Sequence, residues 1–346
     1  MRPSRPIFFA FFLWAGPAFA DAEPGAVVAS LTEKVALPSA AAFDAAAEDF
    51  HRRTTAGCDD PAALRAAEAG LRLAWAKLEV LNFGPLQDDN RASKIAFWPD
   101  KHGVAGRQIR QYLRKADPKT VTAEALGKGS VALQGLPALE DLLYGGETIS
   151  PFACAFVQGI AGNLTRLAGG IRADWGTREE GYAARIEAGD LEADAPALYY
   201  RAATDALERV LDLKLKRPLG DAPEAANGAL AEAAPSGRSA AIVAANLETV
   251  QALAVGPSTN DPGLADLADA KAGTRLKDAL AERLGRARDL LNGLNRPLAE
   301  AVTAPEPRSR IEVARFAVKD AKTALATDLA PALGLPAASF NAADGD

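Results

Sequence analysis

Apolar residues recur at three- and four-residue intervals along most of the chain after residue 25, and no run of β-branched residues alternates at period two. The pattern predicts helices over 41–51, 61–83, 107–113, 151–175, 199–215, 242–253, 276–294 and 311–333. Asp60-Pro61 and Ser150-Pro151 read as helix starts, with proline at the first helical position. Gly84-Pro85 reads as a stop. The chain is therefore all-α, expected as two helical-bundle domains packed together. The expected division is 24–155 and 156–346, with the polar segment 176–197 as the other place for a joint.

One stretch departs from a plain amphipathic pattern. ALQGLPALEDLLYG, Ala132 to Gly145, carries Gly135 and Pro137 inside a leucine repeat. On an ideal helix with Leu139 at zero, Leu142, Leu143, Leu136 and Leu133 fall at about 300°, 40°, 60° and 120°. Glu140 falls at about 100°, inside that arc, and Asp141 at about 200°, outside it. Glu140 is thus expected buried or half-buried and Asp141 solvated. A buried carboxylate needs a cation, donors, a metal or a proton. The glycine and proline would start or kink the helix and let another backbone approach.

The N-terminus changes the cellular picture. Arg2 and Arg5 precede a short apolar core at 7–15, and Ala18-Phe19-Ala20 has the small-x-small form of a signal-peptidase site. Residues 1–20 are expected to be a signal peptide cleaved between Ala20 and Asp21, leaving an exported, periplasmic chain. The full chain has a net charge of −6 and the cleaved one −8, which excludes the broadly basic surface a nucleic-acid partner requires. No later segment reads as a membrane span. In an oxidising compartment the two cysteines, Cys58 and Cys154, are expected to form one disulfide.

Chemistry-bearing motifs are few. There is no HExxH, GxSxG or phosphate loop, and the two histidines, His51 and His102, are isolated in sequence. FWPDKHG places Trp98 and Asp100 at a turn or helix start. Arg107 and Arg110, three apart, share the face of the helix that follows and are candidates to hold Glu140 or an anionic ligand. The closing SFNAADGD brings Asn341, Asp344 and Asp346 near the C-terminal carboxylate.

Taken in order, these segments resemble the imelysin family. GLPALE at 135–140 lines up with its GxHxxE motif, so Gly135 and Glu140 carry over while Pro137 stands where the motif has histidine. AWAKLEVLNFGPL followed by FWPD, then SGRSAAIVAANLE, then the closing FNAADGD, are similar to further family segments, with Ser339 in place of a glycine. The resemblance implies a two-bundle helical fold, export to the periplasm and a link to bacterial iron uptake. It implies a ligand such as iron, an iron chelate or haem, or another periplasmic iron-uptake protein as partner. Glu140 would be the central acidic group and the one candidate metal ligand. Trp98, Asp100, Arg107 and Arg110 would approach it from the first half, and Ser236, Ser239 and Asn246 from the second. Two other readings stand beside this one. The family is classed as peptidases, so Glu140 could serve as general base on a metal-bound water held by His102, Asp100, Asp344 and Asp346. A non-catalytic helical scaffold, with Glu140 as a buried structural pair, is the third.

Overall fold

The structure, a computed structural model, describes residues 23–191 and 193–335. The expected signal peptide and Asn341, Asp344 and Asp346 lie outside these residues. No strand occurs among the described residues.

Helix α1 runs Pro24–Ala56, with a widened π segment at Thr32–Ala36. Its length and composition alone would let it cross a membrane, unlike the expectation above. Here it serves as a core helix: Val27, Leu31, Phe43, Ala47 and Phe50 are buried, and it packs along α2 (Pro61–Leu78) and α7 (Pro151–Trp175). The two expected starts hold. Asp60 accepts a hydrogen bond from the Ala63 N–H at 2.9 Å, and Ser150 accepts one from the Ala153 N–H at 3.2 Å. Between α2 and α7 lie α3 (Arg91–Ile95), α4 (Val104–Lys115), α5 (Ala123–Gly127) and α6 (Leu136–Tyr144). Cys58 and Cys154 form the expected disulfide, Cα atoms 5.8 Å apart, and tie the α1–α2 corner to the start of α7. Helix α7 is unbroken, and residue 155 lies inside it.

After the short α8 (Gly181–Glu187), the long α9 occupies 195–219, with α10 at Ser239–Val255, α11 at Leu264–Ala272, α12 at Leu276–Asn292, α13 at Leu298–Ala301 and α14 at 305–332. Helix α10 packs on α9 and α12, and α12 on α14. Helix α10 also packs against α2, making the seam between the halves. Small residues, Ala76, Ala233 and Ala245 with Ile242, form a buried apolar cluster there.

Three π segments, Thr32–Ala36, Arg209–Lys216 and Leu325–Leu329, each end two residues before a proline: Pro38, Pro218 and Pro331. Proline has no N–H for the helical ladder, and its ring crowds the carbonyl four residues earlier. That carbonyl falls inside the widened turn each time, so the helix continues past the proline with one extra residue in the turn.

Candidate functional site

The 132–145 stretch is built as its pattern asks. Val131–Leu133 form a 3-10 turn, Gly135 is extended at the N-cap of α6, and Pro137 lies in the first turn, where its missing N–H loses no helical bond. A Cβ on Gly135 would collide with the backbone carbonyls of Lys94 and Ile95, so only glycine lets α3 come this close. Glu140 is 6% exposed, and Asp141 faces outward.

The partners of Glu140 come from the seam. Its Oε1 accepts from the Ser236 N–H at 2.9 Å, and its Oε2 lies 3.7 Å from the Arg72 guanidinium. Arg72 reaches up from α2, donates to Glu68 Oε1 at 2.7 Å through Nε and to the Leu136 carbonyl at 2.9 Å. Glu68 is fully buried, and its second oxygen has no hydrogen-bond partner. Burial therefore lifts the Glu68 carboxyl above its ordinary range, against the pull of Arg72 and with a push from Glu140. Burial works against the charge on Arg72, but Glu68, Glu140 and Glu232 outweigh it and hold the guanidinium more firmly protonated. Arg238 and Tyr144, both half-buried, stand beside this group, and the charge of Arg238 acts on both Glu68 and Tyr144. Among the described residues no carboxylate lies within 4 Å of the Arg238 guanidinium.

A second buried group adjoins the first. Lys214 in α9 is ion-paired with Glu79 at 2.6 Å and Glu232 at 2.8 Å, and donates to Asn246 Oδ1 at 2.7 Å. Asn246 donates to the Ala76 carbonyl and to Glu79 Oε1, and Ser239 donates to the Glu232 carbonyl. Burial would raise the Glu79 carboxyl, but Lys214 and Arg209 together hold it below the ordinary range. Burial raises Glu232 instead, helped by Glu79 and opposed by Lys214. The two groups join α2, α6, the 231–238 loop, α9 and α10 across the seam.

Of the expected neighbours, Ser236 meets Glu140 directly, and Ser239 and Asn246 lie in the adjoining group. The first-half candidates are displaced from the carboxylate. Asp100 caps α4, accepting from the Val104 and Ala105 N–H groups at 2.9 and 2.8 Å. Those bonds overcome its burial and hold its carboxyl low. Trp98 sits half-buried in the turn before it. Arg107 donates to the His102 carbonyl, and Arg110 stands near Asp141; neither is paired with Glu140. Helix α4 buries Ala105 and Ile109, which turns both arginines outward. Arg72 takes the role expected of them. Its place on the buried face was legible by the same helical projection: with Leu71 at zero, Leu64, Trp75 and Leu78 fall at about 20°, 40° and 340°, and Glu68 and Arg72 at about 60° and 100°.

A metal at Glu140 does not fit this donor set. Its two oxygens already face an N–H and a guanidinium, and no group of three or more His, Cys, Asp or Glu among the described residues is arranged to hold an ion. A hydrolytic zinc needs three protein ligands. The arrangement can hold charge in a closed seam and present a cation, Arg238, at its edge.

No curated protein matches the sequence. Several solved structures share the fold, two of them as follows. An imelysin-like protein from Psychrobacter arcticum 273-4 is 22% identical, with a TM-score of 0.76 over 91% of this chain and 96% of that one. A protein from Parabacteroides distasonis ATCC 8503, named as an iron-regulated protein A precursor, is 17% identical, with a TM-score of 0.72 over 88% and 94%. The family profile described as Imelysin matches residues 36–325, and the chain belongs to the imelysin family.

Proposed function

We propose that this imelysin-family chain is an exported, periplasmic protein of iron uptake that binds an iron chelate, haem included, at the edge of the seam. The observation that carries the reading is Arg238: a half-buried cation without a carboxylate within 4 Å among the described residues, whose charge reaches Glu68 of the Glu68–Arg72–Glu140 group. Iron chelates of the carboxylate class and haem both carry anionic oxygens, which a guanidinium meets with charge-assisted hydrogen bonds. The printed name of the Parabacteroides structure supports an iron-related setting. Glu140 acts here as a positioning residue, since it fixes the 231–238 loop through Ser236. We take the chain to be two bundles joined in the 176–197 segment and cleaved after Ala20.

Titration of the chain with ferric citrate and with haem tests it. Saturable binding of one of them is expected. Arg238→Gln should weaken it by roughly 10-fold or more, the worth of one charged hydrogen bond. Glu140→Gln should weaken it with the thermal transition retained. Equal affinity in Arg238→Gln, or no binding of either probe, overturns the reading.

A further inference from the structure

Helix α4 carries a charge pattern unlike the rest of the molecule. Residues 101–119 hold six basic side chains, Lys101, Arg107, Arg110, Arg114, Lys115 and Lys119, and one acid, Asp117. This is a local +5 in a chain of −6. All six are exposed, and none is in an ion pair among the described residues. Asp141 stands near Arg110, and Asp100, which caps the helix, lies within electrostatic reach of Arg107. On the helix, Arg110, Arg114, Arg107 and Lys115 fall at about 300°, 340°, 0° and 80° relative to Arg107, a single stripe opposite the buried Ala105 and Ile109. Leu113, 38% exposed and one of three large apolar side chains so placed among the described residues, flanks it at about 240°.

We propose that this face docks the protein on a bilayer surface rich in anionic, phosphate-bearing lipids. Three observations select that occupant. The shallow depression along the stripe is lined by α4 residues alone, so no second element makes a cleft to grip a peptide or a small molecule. A flat array of phosphates needs no cleft. The stripe is a cluster of cations on one solvent-facing side, the pattern that anionic headgroups attract, with the exposed Leu113 at its margin. The acidic remainder of the chain does not cancel the attraction, because charges beyond about 8–10 Å are largely screened at physiological ionic strength. Each arginine near such a surface strengthens binding by about fivefold. This inference is separate from the chelate site: it involves other residues.

Vesicle co-sedimentation tests it, with the chain from Asp21 onward, which contains every described helix and leaves out the apolar segment 7–15. The expected result is binding to vesicles of phosphatidylglycerol and phosphatidylcholine, none to phosphatidylcholine alone, and release by 0.5 M salt. Replacing Arg107, Arg110 and Arg114 together by glutamine should weaken binding roughly 100-fold. The triple lysine variant, which keeps the charge, should retain most of it, and circular dichroism should be the same for all three proteins. Failure to bind the anionic vesicles, or equal binding by the glutamine variant, overturns the proposal. An acidic protein partner would then be the alternative for this face.

Discussion

Arg72 is almost wholly buried between Glu68 and Glu140, so its removal leaves two carboxylates in the seam without their nearest cation. A buried ion pair adds little net stability when formed, because desolvation offsets the attraction, yet breaking one from a single side is expensive. Arg72→Met fills similar volume and strands both acids. It should lower the free energy of unfolding by about 3–5 kcal/mol, read from urea denaturation. Removing Glu68 in the same background should restore part of that loss, since Glu68 already has one oxygen without a hydrogen-bond partner and a carboxyl raised by burial. A loss below about 1 kcal/mol in Arg72→Met would mean that water or protons neutralise the pocket without Arg72. Glu140 differs from Glu68 in what it holds: its backbone partner at Ser236 belongs to the other half of the chain, so its charge also places a loop.

At the scale of elements, the start of α6 shows how one absent Cβ sets a packing distance. Gly135 is not in the left-handed region; its φ is −129°, which any residue adopts. The reason for glycine is contact with the carbonyls of Lys94 and Ile95 at the end of α3. Gly135→Ala must push α3 from α6, and overpacking of this kind costs about 1–3 kcal/mol. A lowered melting temperature is expected; an unchanged one would mean that 91–95 yields freely. The same stretch was largely legible beforehand, since the breakers, the burial of Glu140 and the exposure of Asp141 all follow from local spacing. Helix starts at Asp60-Pro61 and Ser150-Pro151 were legible for the same reason: a cap and its proline are neighbours in sequence. Lys214 was not. It lies in the π segment before Pro218, where the extra residue in the turn slips the phase of any projection at 100° per residue. Nor could spacing say that Arg72, rather than Arg107 or Arg110, meets Glu140. That choice rests on which face of α4 is buried, and Ile109 and Ala105 decide it through packing with distant residues.

Across the whole molecule, the disulfide and the seam make opposing claims about cooperativity. The Cys58–Cys154 link closes a sequence separation of 96 residues and touches the first half alone. In the chain-entropy picture it disfavours the unfolded chain by about 4–5 kcal/mol. Were the halves independent, reduction would move the transition of the first and leave the second in place. The packing argues otherwise. One buried apolar cluster runs from Val27 and Leu31 in α1 to Leu325 and Leu329 in α14. The buried ion pair of Lys214 with Glu79 spans the seam, as does the Lys77–Glu248 pair at 2.7 Å. Opening one half would expose apolar surface of the other and strand Lys214 from Glu79, so partial unfolding is disfavoured relative to global unfolding. Replacing both cysteines by alanine should therefore give a single calorimetric transition at lower temperature, with the full loss falling on the whole chain. Two transitions, with only the first shifted, would show that the seam is a contact between separately stable bundles. Lys214→Met, measured beside it, separates the causes, because losing the pair with Glu79 weakens the seam and should split the transition where removing the disulfide does not.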